Sequence, residues 1–353
     1  MDYYGTVNEP VQGDELLSRK SLILASLALG FLVVVFLSLG LALFLVSPAD
    51  RNGREEVFVI EAGRTFREVA QDLEKRGLIK SKMLLVLWSR IMRYGKDIKS
   101  GEYILSAATP PLKILEKLRQ GKILLHAVTI PEGATREQIA DALQEKNLVP
   151  RSLFLSLTEE AAVLEKYRVS GASLEGYLFP DTYHFGRGIS PSIVIDTMFS
   201  RFQQMIGPLA EKAGEMGMSL EEIVILASIV EKETGQPDER PLIASVFLNR
   251  LKQGMRLQSD PTVIYGMESF GGRIRKKHLS EKTPYNTYVI RGLPPGPICN
   301  PGIESIKAVI SPANTDYLYF VSKNDGTHHF SKTLTEHNRA VDRYQRRKGE
   351  KTS

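Results

Sequence analysis

An apolar run from Ser21 to Val46 constrains this chain more than any other feature, because its 26 residues include no charged side chain. As an α-helix the run measures about 39 Å at 1.5 Å per residue, which exceeds the roughly 30 Å hydrocarbon core of a bilayer. Arg19 and Lys20 stand immediately before it, and basic residues beside a span stay in the cytoplasm. The sequence therefore predicts a cytoplasmic tail over residues 1–20, a transmembrane helix over residues 21–46 and an exported remainder.

Two other interpretations of the apolar run are less favoured. A cleaved signal peptide has an apolar region of about 7–15 residues, and residues 46–49 make a weak cleavage site. A buried helix of a soluble domain would rarely be so long and so uniformly apolar. We therefore expect a single-pass protein of the cytoplasmic membrane, with the lipid bilayer as a partner and the N-terminus in the cytoplasm.

The exported part is long enough for two domains and must be stabilised by its own hydrophobic core. Cys299 is the single cysteine, so no internal disulfide can form. The net charge of +5 is mild and spread along the chain. Nucleic acid is excluded as a partner for an exported protein, and the basic clusters suit either a solvated face or an acidic polymer or lipid headgroup. These clusters contain Arg273, Arg275, Lys276 and Lys277 in the middle of the chain, and Arg343, Arg346, Arg347 and Lys348 near its end.

An internal repeat relates residues 58–79 to residues 128–149 at an offset of 70 positions. Each copy reads as a short strand, a glycine turn, a threonine N-cap and an amphipathic helix. The matched pairs are Gly63 with Gly133, Thr65 with Thr135, Val69 with Ile139, Ala70 with Ala140, Leu73 with Leu143 and Leu78 with Leu148. The pattern resembles LysM-like modules that hold cell-wall glycan, and a simple α+β spacer fits it equally. We predict a LysM-like module over residues 56–150, after a linker over residues 47–55.

A second helical segment carries the two carboxylates that indicate most about the function of the chain. Ser219 fits the N-cap, with Glu222 as its capping-box partner, and Gly235 is expected to end the helix with a positive φ. Glu233 then lies in the last turn, where the negative end of the helix dipole and an apolar wall both raise the pKa of a carboxyl. A raised pKa suits a proton donor near neutral pH. The alternative is a helix end with two solvated glutamates.

Further motifs follow Gly235. Residues 255–266 alternate polar and apolar side chains, so Gln258 and Asp260 would share one face of an extended segment. Residues 292–302 include seven Pro or Gly residues in eleven, which suits a rigid loop that walls a groove. Asn300 is expected to cap a helix after this loop. A hairpin with a turn at residues 325–326 is expected to close the domain, and the aromatic residues of segment 174–183 suit either sugar rings or a core.

Together these motifs resemble the YceG-like (MltG) family of endolytic murein transglycosylases. The resemblance rests on residues 227–234, 244–251, 255–266, 285–288 and 292–302, and on the order of anchor, LysM-like module and catalytic domain. It implies an α+β fold, with a YceG-like catalytic domain over residues 151–345 and a basic tail over residues 346–353. It also implies cleavage of the β-1,4 bond between N-acetylmuramic acid and N-acetylglucosamine in nascent peptidoglycan, leaving 1,6-anhydro ends and ending glycan elongation. Peptidoglycan glycan strands are the implied substrate, and peptidoglycan synthases are candidate partners.

The same resemblance assigns the catalytic acid and base to Glu233. A lytic transglycosylase needs one such carboxyl, whereas most hydrolases of glycosidic bonds need two. Glu231 lies two positions earlier, so the two side chains point about 200° apart and cannot serve one substrate face. Asp260 remains open as a more distant second carboxylate. We expect the residues that position the glycan or Glu233 to be Gln258, Asp260, Tyr285 and Asn286.

Three classes of function remain in view, namely a lytic transglycosylase, a muramidase that hydrolyses the same bond, and a non-catalytic wall-binding scaffold. Metal catalysis finds no support, because the six histidines show no His-Glu-x-x-His spacing and the lone cysteine cannot form a cluster. The Gly-x-Ser-x-Gly pattern of serine hydrolases is also missing from the sequence. We therefore predict neither a metal nor a cofactor.

Overall fold

The computed structural model describes residues 12–61, 63–94, 98–267 and 269–346. The chain divides into two compact units, the first ending at Leu124 and the second beginning at Leu125. The predicted module boundary at residue 150 therefore lies inside the second unit, and the two copies of the repeat belong to different units. The predicted cytoplasmic tail over its first eleven residues, and the predicted basic tail after Arg346, lie outside the described residues.

The first unit opens with α1 (Gln12–Val46). Its segment from Ser21 to Val46 has a mean hydropathy of 2.9, and within the described part of the chain it is the one helix long and apolar enough to cross a membrane. Large apolar side chains along it are open to the surroundings, with Phe36 75% exposed. The helix thus has the length and surface that the charge-free run predicts.

The rest of the first unit is a small α+β body. Its elements are β1 (Glu55–Ile60), α2 (Phe66–Lys75), α3 (Lys82–Ile91), β2 (Gly101–Ser106) and α4 (Pro111–Gln120). The strands β1 and β2 pair antiparallel with Phe58 opposite Tyr103, and both rings are buried. The Thr65 hydroxyl and the Glu68 carboxylate form the capping box of α2. The apolar stripe predicted for this helix is buried, at Phe66, Val69, Ala70 and Leu73.

The second copy of the repeat folds locally like the first. It consists of β3 (His126–Thr129) and α5 (Arg136–Glu145), and Thr135 caps the helix in a capping box with Gln138. Gly63 and Gly133 occupy the equivalent turns with φ of 84° and 73°, where a residue with a Cβ would be strained. The strand partner differs, because β3 pairs with β4 (Thr182–Phe185). The repeat predicted from sequence is therefore confirmed at the level of strand, turn and capped helix.

The second unit is mainly helical. Its further helices are α6 (Arg151–Glu159), α7 (Ala161–Tyr167), α8 (Pro191–Ile206), α9 (Ala210–Glu215), α10 (Leu220–Glu233), α11 (Arg240–Lys252), α12 (Asp260–Tyr265), α13 (Lys276–Leu279), α14 (Ile303–Ile310) and α15 (Leu334–Val341). Short 3-10 turns cover Gly207–Leu209 and Pro237–Glu239, and a π-helical turn covers Asp342–Arg346. The expected hairpin is β5 (Tyr319–Ser322) with β6 (His328–Ser331).

The helix α10 lies at the centre of this unit. It packs against α11, α12 and α14, and every residue from Ile223 to Val230 is buried. Tyr177, Phe179 and Tyr183 of the aromatic segment also belong to this core, each less than 8% exposed. Of the two interpretations of that segment, packing is the one that the structure favours. The C-terminal turn of α10 carries Glu233, its last residue.

Candidate active site

The carboxyl of Glu233 is presented by the last residue of α10. The predicted capping box at the other end of this helix is confirmed, since the Ser219 hydroxyl accepts from the Glu222 N–H at 3.2 Å and the Glu222 carboxylate accepts from the Ser219 N–H at 2.8 Å. The predicted left-handed end at Gly235 is wrong. The chain leaves the helix at Thr234 in an extended conformation, with φ of −143° and ψ of 138°.

Glu233 titrates near neutral pH. Burial and, to a lesser extent, the nearby charge of Asp260 raise the pKa of this carboxyl to about 7, against the Ser259 hydroxyl and the Arg250 guanidinium, which favour the ionised form. The residue as a whole keeps an intermediate exposure. Glu233 can therefore hold a proton at neutral pH and still be reached from outside.

The hydroxyl of Ser259 donates a hydrogen bond to Glu233 Oε1. Ser259 is 1% exposed, and its backbone is fixed on both sides. Its N–H donates to Thr287 Oγ1 at 2.9 Å, and its carbonyl accepts from Thr262 Oγ1 at 2.7 Å, while the two threonine hydroxyls lie 2.8 Å apart. Sequence reasoning missed Ser259, although its position between the two predicted residues Gln258 and Asp260 was a usable signal.

The segment before Ser259 is held by Arg250 of α11. Its guanidinium donates to the carbonyls of Leu257 at 2.7 Å and Arg256 at 3.3 Å, and its Nε donates to the carbonyl of Leu318 at 2.7 Å. The cation lies 5.3 Å from the centre of the Tyr319 ring. Arg250 is only 7% exposed, so this cation both fixes the chain leading to the site and adds positive potential near the Glu233 carboxyl.

Gln258 and Asp260 flank Ser259 and are both exposed. The extended segment expected here is wrong, because Gln258 has a φ of 53° and α12 begins at Asp260. The Gln258 N–H donates to the Thr287 carbonyl at 3.2 Å, and Asp260 accepts from the Tyr288 hydroxyl at 2.7 Å. A turn followed by a helix thus brings both predicted residues to the surface beside the Glu233–Ser259 pair.

Tyr285 and Asn286 occupy different environments. The half-buried Tyr285 ring packs edge-on against Tyr265 with centroids 4.9 Å apart. The Asn286 side chain is completely buried, and its amide donates to the carbonyls of His278 at 3.1 Å and Glu281 at 2.7 Å. Of the two roles predicted for Asn286, positioning the glycan or positioning Glu233, direct contact with a glycan conflicts with this burial. The residue instead holds the loop that precedes it.

Two other carboxyls near α10 are committed to the fold. The side chain of Glu231 is 6% exposed and accepts from the Gly302 N–H at 2.9 Å, next to the start of α14, and from Arg240 at 3.4 Å. Burial raises the pKa of Glu175 to about 8, but this residue is 2% exposed. It accepts from the Arg136 N–H at 3.1 Å and from the Asn300 amide at 2.7 Å. Neither carboxyl is free for a substrate.

Asn300 serves as an internal clamp and not as the expected helix cap. Its Oδ1 accepts from the N–H groups of Gly176 and Leu178, both at 2.9 Å, and its amide donates to the carbonyl of Ala134 at 2.9 Å. The N-cap of α14 is Gly302, without a side-chain bond. The Pro/Gly-rich loop is thereby fixed against the turn that follows β3.

Among the described residues, no group of three or more His, Cys, Asp or Glu side chains is arranged to hold a metal ion. Cys299 is buried, and burial raises the pKa of its thiol well above the ordinary value. Thiolate chemistry is therefore unsupported at this position. The titratable group that the local geometry leaves for chemistry is the Glu233 carboxyl.

The fold and site define an α+β protein with one apolar N-terminal helix and a candidate site built on a single carboxyl of near-neutral pKa. Residues 58–343 match the YceG-like family, and the chain belongs to that family. A crystal structure of a YceG-like protein from Listeria monocytogenes superposes with a TM-score of 0.57 at 34% identity, covering 82% of this chain and all of that one.

Two curated relatives are each named as an endolytic murein transglycosylase. The protein from Bacillus subtilis is 31% identical over 324 residues, which cover 87% of this chain and 90% of that protein. The protein from Streptococcus pneumoniae strain D39 is 30% identical over 327 residues, which cover 83% of this chain and 59% of that longer protein. The similarity therefore extends over most of this chain.

Proposed function

We propose that this chain is a membrane-anchored endolytic lytic transglycosylase of peptidoglycan, in which Glu233 is the catalytic acid and base. The names of the relatives give the reaction class. The observation that carries the assignment is a carboxyl whose pKa is about 7, held by a buried serine and still partly exposed. Such a group is protonated often enough to donate a proton and ionised often enough to accept one.

One carboxyl can serve both halves of this reaction. Protonated Glu233 donates its proton to the glycosidic oxygen as the bond to C1 of the muramic acid breaks. The resulting carboxylate then removes the proton of the sugar's C6 hydroxyl, whose oxygen forms a new bond to C1 and closes the 1,6-anhydro ring. The 2-acetamido group of the substrate can stabilise the intermediate. Atoms balance without water, and Glu233 ends in its starting protonation state.

Hydrolysis of the same bond is the second candidate, and Asp260 is the observation that favours it. Asp260 is exposed, and its charge is close enough to raise the pKa of Glu233. A second carboxylate beside the acid could direct a water molecule to C1, as inverting glycosidases do. Its hydrogen bond from Tyr288 equally suits a role in binding sugar hydroxyls. The products distinguish the two reactions.

The decisive experiment is mass spectrometry of purified glycan strands digested by the full-length protein in detergent. A transglycosylase leaves ends that are one water lighter than the reducing ends made by a muramidase. Glu233→Gln should lose cleavage by about 10²–10⁴-fold, the usual contribution of a general acid or base. Glu231→Gln is the matched control and should be far milder. Equal losses in both variants, or reducing ends alone, would contradict the proposal.

Four neighbouring residues fill supporting roles in this proposal. Gln258 and Asp260 are exposed on either side of Ser259 and would contact the sugar directly. Tyr285, packed on Tyr265, would provide an aromatic wall. Asn286 would act through the loop that it holds, since its own side chain is buried.

The anchor and the first unit complete the proposal. Residues 21–46 would span the cytoplasmic membrane with the N-terminus inside, which puts the catalytic unit beside newly made wall. The α+β body around β1 and β2 would act as a LysM-like glycan holder within the module predicted over residues 56–150. The alternative, a spacer that sets the reach from the membrane, predicts no affinity of this module for glycan. Peptidoglycan synthases are the proposed partners of such an enzyme.

A further inference from the structure

A surface loop leaves the candidate site at Gly266 and returns to it at Thr283. The two ends touch, because a Cβ at Gly266 would lie 2.6 Å from Thr283 Oγ1 and 3.1 Å from Tyr285 Cβ. Compact loops with adjoining ends frequently carry function. Residues 266–283 therefore form a compact loop with adjoining ends, directly after α12.

The loop carries the densest positive charge in the second unit. We name its four exposed cations, Arg273, Arg275, Lys276 and Lys277, the basic arm. None of the four forms an ion pair with another residue that the structure describes. A polar hollow of about 480 Å³ opens beside Lys277, and its lining also includes His278, Ser280 and the Glu281 carboxyl. The charge available to a ligand therefore lies on the exposed side chains of the basic arm, which form no ion pair with a described residue.

Asn286 joins the basic arm to the candidate site. Its buried amide donates to the backbone of His278 and Glu281, which directly follow the arm. The next two residues reach the site itself, since Thr287 binds the backbone of Ser259 and the Tyr288 hydroxyl donates to Asp260. A solvated charged face would not need a fully buried amide to fix its backbone beside a catalytic carboxyl.

We infer that the basic arm binds carboxylates of the peptide stems on the glycan strand, so that the enzyme prefers stem-bearing strands to strands stripped of peptide. This inference rests on the proposed function, because it names the substrate class of the same site. Charge complementarity selects the ligand, since an intact stem carries several carboxylates whereas a strand stripped by an amidase keeps only the lactyl carboxylate on each N-acetylmuramic acid. The arm would act on binding and not on the chemical step.

An anionic membrane surface is the competing partner for any exposed basic cluster. The coupling through Asn286 favours the substrate, because it positions the arm relative to Ser259 and Glu233. Attraction to a lipid surface would require only that the four cations be exposed. The two sources of negative charge are separated by the experiment that follows.

The test compares two triple variants of the full-length protein on two substrates. Arg273→Gln/Arg275→Gln/Lys277→Gln neutralises the arm. Lys146→Gln/Lys212→Gln/Lys252→Gln removes the same charge from exposed positions elsewhere in the second unit. The substrates are strands with intact stems and the same strands after amidase treatment. An exposed charge pair strengthens association by about 1.5- to 5-fold, so KM for stem-bearing strands should rise roughly tenfold in the arm variant.

The expected result is an increase in KM confined to the arm variant and much larger for stem-bearing strands than for stripped strands, with unchanged kcat and a weaker dependence on salt. Equal behaviour of the arm and control variants on stem-bearing strands would overturn the inference while leaving the proposed function intact. Cleavage by the protein reconstituted into neutral vesicles and into vesicles containing anionic lipid completes the test. If neutralising the arm changes KM only in the anionic vesicles and leaves the preference for stems intact, the arm binds membrane and the inference is wrong. Failure of the unmodified protein to cleave either substrate would count against the proposed function instead.

Discussion

Removal of the Ser259 hydroxyl should shift the pH dependence of cleavage toward higher pH. Ser259 donates to Glu233 Oε1 and so stabilises the ionised carboxyl. The first proton transfer needs the protonated form, and activity should fall as the pH rises through the Glu233 pKa of about 7. Ser259→Ala leaves the carboxylate less stabilised, so its pKa rises and the falling limb moves to higher pH.

The size of the shift follows from the strength of the lost bond. A hydrogen bond to a charged group contributes about 1.5–3 kcal/mol, and one pKa unit corresponds to about 1.4 kcal/mol. Because Glu233 keeps partial solvent contact, water replaces part of the lost stabilisation, and the lower end of the range applies. We expect a displacement of about one pH unit, accompanied by a lower kcat because the carboxyl loses its fixed orientation.

The assay is the pH profile of kcat/KM on purified strands, with two comparison variants. Ser259→Thr keeps a hydroxyl and should restore the original limb. Ser245→Ala removes another buried hydroxyl, which belongs to α11 and lies 2.8 Å from Thr315 Oγ1. This variant should leave the falling limb of the pH profile unchanged. If the falling limb of the pH profile stays in place in Ser259→Ala, or moves to lower pH, the reasoning is refuted.

Four further predictions address stability, topology and the first unit. Because the folded-state pKa of Glu233 is raised, wild type should lose about 2–3 kcal/mol of stability relative to Glu233→Gln as pH rises from about 4.5 to 7. Chemical denaturation of both proteins at the two pH values measures this loss, and the same difference in unfolding free energy at both pH values would contradict the prediction. Glu175→Ala should cost about 2–4 kcal/mol, since it leaves buried donors unpaired, and an unchanged melting temperature would exclude the clamp. A reporter fused after Ser353 should be active only outside the cytoplasm, and a cytoplasmic signal would overturn the orientation. Deletion of residues 56–124 should weaken retention on intact wall more than cleavage of short strands, and undiminished retention would leave only the spacer role.

Sequence reasoning succeeded where the signal was local. The charge-free run, the N-caps at Thr65 and Thr135, the capping box at Ser219 and the helix carrying Glu233 each depend on residues within a few positions of one another, and the structure contains all of them. Helix periodicity and capping are short-range effects and can be read from one chain. The same holds for the hairpin that ends the second unit.

Sequence reasoning failed where the local backbone conformation, or a partner far away along the chain, determines where a side chain lies. Gln258 adopts a positive φ because the Arg250 guanidinium and the Thr287 carbonyl fix the chain around it, and both lie outside its segment. Ser259 meets Glu233 across 26 positions of sequence. Asn300 looked like a helix cap, but its partners lie more than 120 residues away. A single sequence contains no record of such pairings.

The Asn300 clamp also constrains the order in which the chain can fold. It joins Gly176, Leu178 and Ala134 across 124, 122 and 166 positions, so none of these bonds can form until the loop at residues 292–302 has been synthesised. Long-range closure of this kind is slow, because chain entropy must be lost before the contacts form. A chain whose synthesis stalls before residue 300 would lack the hydrogen bonds of the Asn300 clamp. The turn after β3 and the segment at residues 176–178 are therefore joined only when the chain around Asn300 is in place.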